Sequence, residues 1–143
     1  MLLFLFIQLI CAETNSYSCG LYCDYSIDST TMSINVDGII SEETQWNINQ
    51  LKRITTLKLK GNLTDIPANF IEKFTSLKTV ELHIENVIDG LFENTQIENV
   101  VIGKEVKEIK ERVFENCNKL SSVQFENNSV LKTIGDYAFN NCT

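Results

Sequence analysis

The chain is poor in the residues that perform chemistry or bind polyanions. One histidine, one proline and one tryptophan stand among 143 residues, and there is neither a Gly-rich phosphate loop nor a paired Cys-x-x-Cys motif. A His-based catalytic constellation, a nucleotide-binding loop and a zinc knuckle therefore lack raw material. Cations are scarce as well: 12 Lys and Arg against 19 Asp and Glu give a formal charge of −7. Binding nucleic acid or an anionic membrane requires clustered cations that displace counterions, so this balance argues against both. What is present, 43% hydrophobic and 22% charged residues with six glycines, suffices for one buried core and does not fit a disordered or collagenous chain.

Long apolar runs are also missing, apart from Met1 to Ala12. That run is shorter than the roughly 20 residues needed to span a bilayer. Its length predicts a secretory signal peptide over residues 1–12, cleaved near Ala12, with a buried N-terminal strand as the competing reading because no Lys or Arg precedes it. No transmembrane segment follows, so the expected location is secreted or cell surface. In that setting Asn62, Asn127 and Asn141, each opening an Asn-x-Ser/Thr triplet, are candidate glycan acceptors on exposed turns.

Self-similarity is the strongest signal. Val106, Ile109, Phe114, Cys117, Leu120, Val123 and Phe125 define a template of apolar columns. Ile84, Val87, Phe92, Thr95, Ile97, Val100 and Ile102 repeat it with one deletion; Leu63, Ile66, Ile71, Phe74, Leu77, Val80 and Leu82 repeat it without one. A last unit supplies Leu131, Ile134, Phe139 and Cys142, then stops at Thr143 before its strand, which is the pattern of a longer array cut short. The lead positions Ile66, Val87, Ile109 and Ile134 are spaced by 21, 22 and 25 residues. A fainter copy runs through Ile48, Leu51, Ile54, Leu57 and Leu59.

This period, with an L-x-x-L-x-L core, is the length class of leucine-rich repeats. It predicts an α/β repeat solenoid with strands at 57–59, 80–82, 100–102 and 123–125 in one parallel sheet. The spacing from Ile109 to Phe114 to Cys117 predicts short helical or 3₁₀ turns on the other side. Residues 13–47 are then an N-terminal cap region, with a candidate first strand at Met32, Ile34 and Val36, and residues 48–143 are the repeats. An oxidising compartment favours bridging Cys19 to Cys23, or using the pair to cap the open end of the stack, although so short a loop makes a bridge geometrically demanding. Cys117 and Cys142 share a column and read as small buried hydrophobes.

The segment from Ile134 to Thr143, Ile-Gly-Asp-Tyr-Ala-Phe-Asn-Asn-Cys-Thr, resembles the Ile-Gly-x-x-Ala-Phe-x-x-Cys signature of BspA-like (Treponema pallidum type) leucine-rich repeats. The segment Ile109 to Val123 is a second match, with Lys110 for Gly and Val113 for Ala, and the Ile66 and Val87 units keep the apolar columns but replace Cys with Phe74 and Thr95. The resemblance covers residues 50–143. It implies a surface or secreted protein of bacteria or parasitic protists, among which are adhesins that contact host proteins or other cells, and it carries over no catalytic residue.

The functional expectation is a non-enzymatic protein without cofactor or metal that binds a protein partner, host or matrix proteins included, through its sheet face. Lys58, Lys60, Glu81, His83, Val101, Gln124 and Glu126 are the candidate contacts. His83, beside Glu81 and Glu85 in sequence and with no second His or Cys near it, reads as a solvated side chain and not as a metal ligand. The alternative is a structural spacer, or a fragment of a longer array, with no binding activity of its own.

Overall fold

The computed structural model describes residues 16–142, so the expected signal peptide lies outside the described residues. The chain opens with antiparallel pairing of β1 (Ser16–Gly20), β2 (Cys23–Asp28) and β3 (Thr31–Ile39). Then follow α1 (Ile48–Leu51), β4 (Thr56–Asp65), a 3₁₀ turn (Ile71–Lys73), β5 (Thr79–Ile84), β6 (Asn86–Val87), β7 (Asn99–Ile102), β8 (Glu108–Ile109), β9 (Ser122–Phe125) and β10 (Thr133–Ile134). From β3 onward each coil adds one parallel strand, giving a sheet ordered β1-β2-β3-β4-β5-β7-β9. A narrow second parallel sheet, ordered β10-β8-β6, closes the other side.

Register follows the repeat. Met32, Leu57, Val80, Val100 and Val123 form one column, and Ile34, Leu59, Leu82, Ile102 and Phe125 another. Alternation along a strand turns both columns inward. From β3 to β7 every member is fully buried, whereas Val123 and Phe125 are 36% and 49% exposed. Burying one such side chain contributes about 1.5–3 kcal/mol, but a single coil has nothing to bury it against.

The solenoid is a β-solenoid: the expected parallel sheet is present, and a 3₁₀ turn stands on the return side of the Ile66 unit, but helix is too sparse for the expected α/β description. Among the described residues helix is confined to the four residues of α1 and the three of the 3₁₀ turn. Two observations explain why helical turns do not form in the later coils. Gly90, Arg112 and Tyr137 fall at one repeat position with φ of 62°, 55° and 59°, and Asn94, Asn116 and Asn141 at another with 59°, 59° and 54°. Left-handed residues four apart interrupt any right-handed helix. The backbone donors also point along the stack: Phe92 N–H donates to the Val113 carbonyl at 2.9 Å, Phe114 N–H to Ala138 at 2.8 Å and Asn116 N–H to Asn140 at 2.8 Å. Groups that would close a helix are satisfied by the next coil.

Side chains repeat the same logic. Phe92, Phe114 and Phe139 stack with centroids 5.6 and 5.1 Å apart. Asn116 Nδ2 donates to Asn94 Oδ1 and Asn141 Nδ2 to Asn116 Oδ1, both at 2.9 Å, an amide ladder beside the ring stack. At the other end Tyr17, Tyr25, Trp46, Phe70 and Phe74 form a continuous chain of ring contacts. There a disulfide joins Cys19 to Cys23 across the β1–β2 turn, their Cα atoms 5.0 Å apart.

Cys117 and Cys142 are free thiols, and each donates to a phenylalanine carbonyl of the preceding coil, Phe92 and Phe114, at 3.2 Å. Thr95 holds the same repeat position and donates to the Phe92 carbonyl of its own coil at 2.7 Å, while Phe74 fills the position in the coil before. Burial pushes both thiol pKa values up.

Phe114→Ala removes the middle ring of the stack and is expected to cost about 3–5 kcal/mol in denaturant unfolding. Asn116→Ala loses both ladder bonds and strains the backbone, for about 1–3 kcal/mol; Asn116→Gly, which tolerates the φ, should cost less. A folded thiol pKa above the unfolded value stabilises the protein below the unfolded pKa, and that contribution is lost as pH rises through the folded one. Stability should therefore decline above about pH 8.5, and Cys117→Thr should flatten the decline in a pH series of unfolding curves.

Candidate functional site

The residues between the buried columns face outward. Ser33, Lys58, Glu81, Val101 and Gln124 align across five strands, and Asn35, Lys60 and His83 align in the next outward column. Gly103 and Glu126 follow directly after Ile102 and Phe125 and prolong that second column. All seven candidate contacts thus stand on one face of the larger sheet. Lys58 Nζ lies 2.8 Å from Glu81 Oε2, and Lys107 Nζ lies 2.8 Å from Glu85 Oε1, each pair bridging adjacent coils. Val101 is half-buried and Gln124 exposed.

An open groove of about 900 Å³ runs along this face, with Lys60, His83, Lys104, Glu105 and Asn128 in its walls. His83 is the residue whose environment the sequence reading missed. Its side chain is 22% exposed, and its Nδ1 faces Glu105 Oε2 at 3.5 Å and Glu126 Oε2 at 3.9 Å. Those carboxylates come from the next two coils, while the sequence neighbours Glu81 and Glu85 are engaged by lysines. The expectation of a solvated histidine is thereby corrected: turns of the solenoid bring together groups 22 and 43 residues apart in sequence. Glu105 was absent from the candidate set, since it lies two residues past the column and enters through the turn after β7.

Gly103 makes the approach possible. It is buried, and a Cβ there would sit 2.7 Å from His83 Nδ1, 3.0 Å from Glu105 Oε2 and 2.6 Å from the Leu82 carbonyl. Lys104 N–H donates to Glu126 Oε2 at 3.0 Å and fixes that carboxylate over the turn. Glu105 is held below the usual carboxylate range chiefly by its own backbone N–H, with His83 and Lys104 adding to the effect against a smaller desolvation cost. An imidazole with two carboxylates can hold a cation or a proton; it is not the pairing that activates a nucleophile.

The three sequon asparagines are exposed or, for Asn141, engaged at the surface. Asn127 and Asn141 occupy turns, whereas Asn62 lies within β4, opposite Asp37, which corrects its expected place on a turn. Among the described residues no helix is long and apolar enough to cross a membrane.

Residues 49–143 match the BspA type leucine rich repeat region, in six copies. The chain belongs to the BspA-type leucine-rich repeat family. Its structure is similar to that of a leucine-rich repeat protein from Eubacterium ventriosum, with 14% identity and a TM-score of 0.43 over 80% of this chain and 44% of that one. A leucine rich cell surface protein from Faecalibacterium prausnitzii aligns with 15% identity and a TM-score of 0.38 over 89% of this chain and 52% of that one. Pneumococcal vaccine antigen PcpA aligns with 10% identity and a TM-score of 0.34 over 92% and 49%. The chain thus spans about half the length of these three. No curated protein matches the sequence.

Proposed function

We propose that this BspA-type chain is a secreted or cell-surface, non-enzymatic module that binds a protein partner through the outward face of its larger sheet, in adhesion to host or other cells. The observation that supports this most is the single in-register face on which Lys58, Lys60, Glu81, His83, Val101, Gln124 and Glu126 stand, the first four of them lining an open groove. A flat, parallel, hydrogen-bonded sheet holds these groups without loop entropy to lose, and sheet faces of solenoids are usual docking surfaces. Mixed charge suits a protein partner with its own mixed charge better than a polyanion. Host or matrix proteins are the partner class of this reading. Residues 1–12 serve as its export signal, and Asn62, Asn127 and Asn141 as its candidate glycan acceptors.

The test is binding of the purified chain to a panel of extracellular proteins. Glu81→Arg with Gln124→Arg should weaken binding by about tenfold or more, as expected at the centre of an interface. The melting temperature should barely move, because the Lys58–Glu81 pair is part-exposed and such pairs contribute about 1 kcal/mol or less. Unchanged affinity for an identified partner would remove this face from the proposal, and a panel with no reproducible partner would favour a spacer role.

A further inference from the structure

We infer that His83, Glu105 and Glu126 form a binding site for one late first-row divalent cation, of which Zn²⁺ is the type. Whether a partner docks on the same face does not affect this. Each side chain offers one donor atom, the three donors lie within 4.8 Å of one another, and His83 and Glu105 line the groove. Bonds of about 2.0–2.2 Å to zinc place tetrahedral donors roughly 3.4 Å apart. His83 Nδ1 already lies 3.5 Å from the Glu105 donor and 3.9 Å from the Glu126 donor, close to the spacing a bound zinc requires, and the two carboxylates lie within 4.8 Å of each other.

Charge supports the same occupant. A neutral imidazole facing two carboxylates leaves two negative charges in a small space. Protonating the ring still leaves one, whereas a divalent cation brings the cluster to neutrality. Two of the groove's lysines are engaged elsewhere, Lys58 with Glu81 and Lys107 with Glu85, and Lys104, beside Glu105, offsets only part of the cluster's charge. Gly103 keeps the space between Nδ1 and the Glu105 carboxylate free of any side chain, and the Lys104 N–H orients Glu126, as outer-shell donors commonly orient metal ligands. Imidazole with carboxylates selects zinc and its neighbours over calcium or magnesium, which prefer all-oxygen shells. Three protein ligands leave a fourth position open to the groove, where water or a partner's side chain completes the shell.

The experiment is titration of the tag-free chain with Zn²⁺ by calorimetry, and with Co²⁺ by visible absorption. The expected result is one equivalent bound, intense four-coordinate Co²⁺ bands, a melting temperature that rises with Zn²⁺ concentration, and no such response to Mg²⁺. Glu126→Gln and His83→Gln, both at part-exposed positions, should fold with unchanged metal-free melting temperatures. Each should weaken Zn²⁺ binding by more than the ~10–100-fold that outer-shell losses cause. The inference is overturned if Zn²⁺ does not bind at one equivalent, if both variants bind it as the parent does, or if Mg²⁺ gives the same response.

Discussion

Each coil of this molecule is completed by the coil beside it. Strand donors, several turn donors and the apolar columns find their partners one repeat away. Leu57 has Val80 as its neighbour, Val80 has Val100, and the carbonyl of Val113 takes the N–H of Phe92. Stability in such a stack is close to a sum of coil-to-coil interfaces, with no large central core to which every residue contributes. The fully buried column members therefore matter through the contacts of their neighbours as much as through their own area. The aromatic chain from Tyr17 to Phe74, and the Cys19–Cys23 bridge, give the first coils an anchor different in kind from the Phe92–Phe114–Phe139 stack of the later ones.

The same translation that builds the core builds the surface. Parallel strands about 4.8 Å apart carry the outward side chains in files, so a pattern in sequence at the repeat period becomes a row in space. The Lys58–Glu81 and Lys107–Glu85 pairs and the Asn94–Asn116–Asn141 ladder are all such rows. A row departs from this when one unit lacks a side chain. At Gly103 the file is interrupted, and the vacant volume is taken by His83 from one side and Glu105 from the other. The groove's most unusual cluster therefore comes from an irregularity in the repeat.

Polar residues within the repeat have structural tasks that composition does not reveal. Asn at the second left-handed position stabilises its own backbone conformation and bonds to the Asn above it, two services in one side chain. Cys117 and Cys142 each donate to a phenylalanine carbonyl of the preceding coil, and Thr95, at the same position, donates to the phenylalanine carbonyl of its own. These roles concern the fold and leave the outward face free to vary.

The repeat columns, the parallel strands and their register were legible in the sequence, because burial against identical neighbours selects the same residue types at the same period. Leu57, Val80, Val100 and Val123 were assigned to one ribbon from spacing alone and lie on it. The return side was legible only in part, at the 3₁₀ turn Ile71–Lys73. The spacing of Ile109, Phe114 and Cys117 fits a helical turn as well as a β-turn, and the choice fell to hydrogen bonds between coils that exist only once the coils are stacked. The surroundings of His83 were hidden for a related reason: sequence shows the neighbours along the chain, Glu81 and Glu85, whereas the solenoid supplies those across it, Glu105 and Glu126. Periodicity determined which residues are buried; the way each turn closes, and where Gly103 leaves room, determined which polar groups meet.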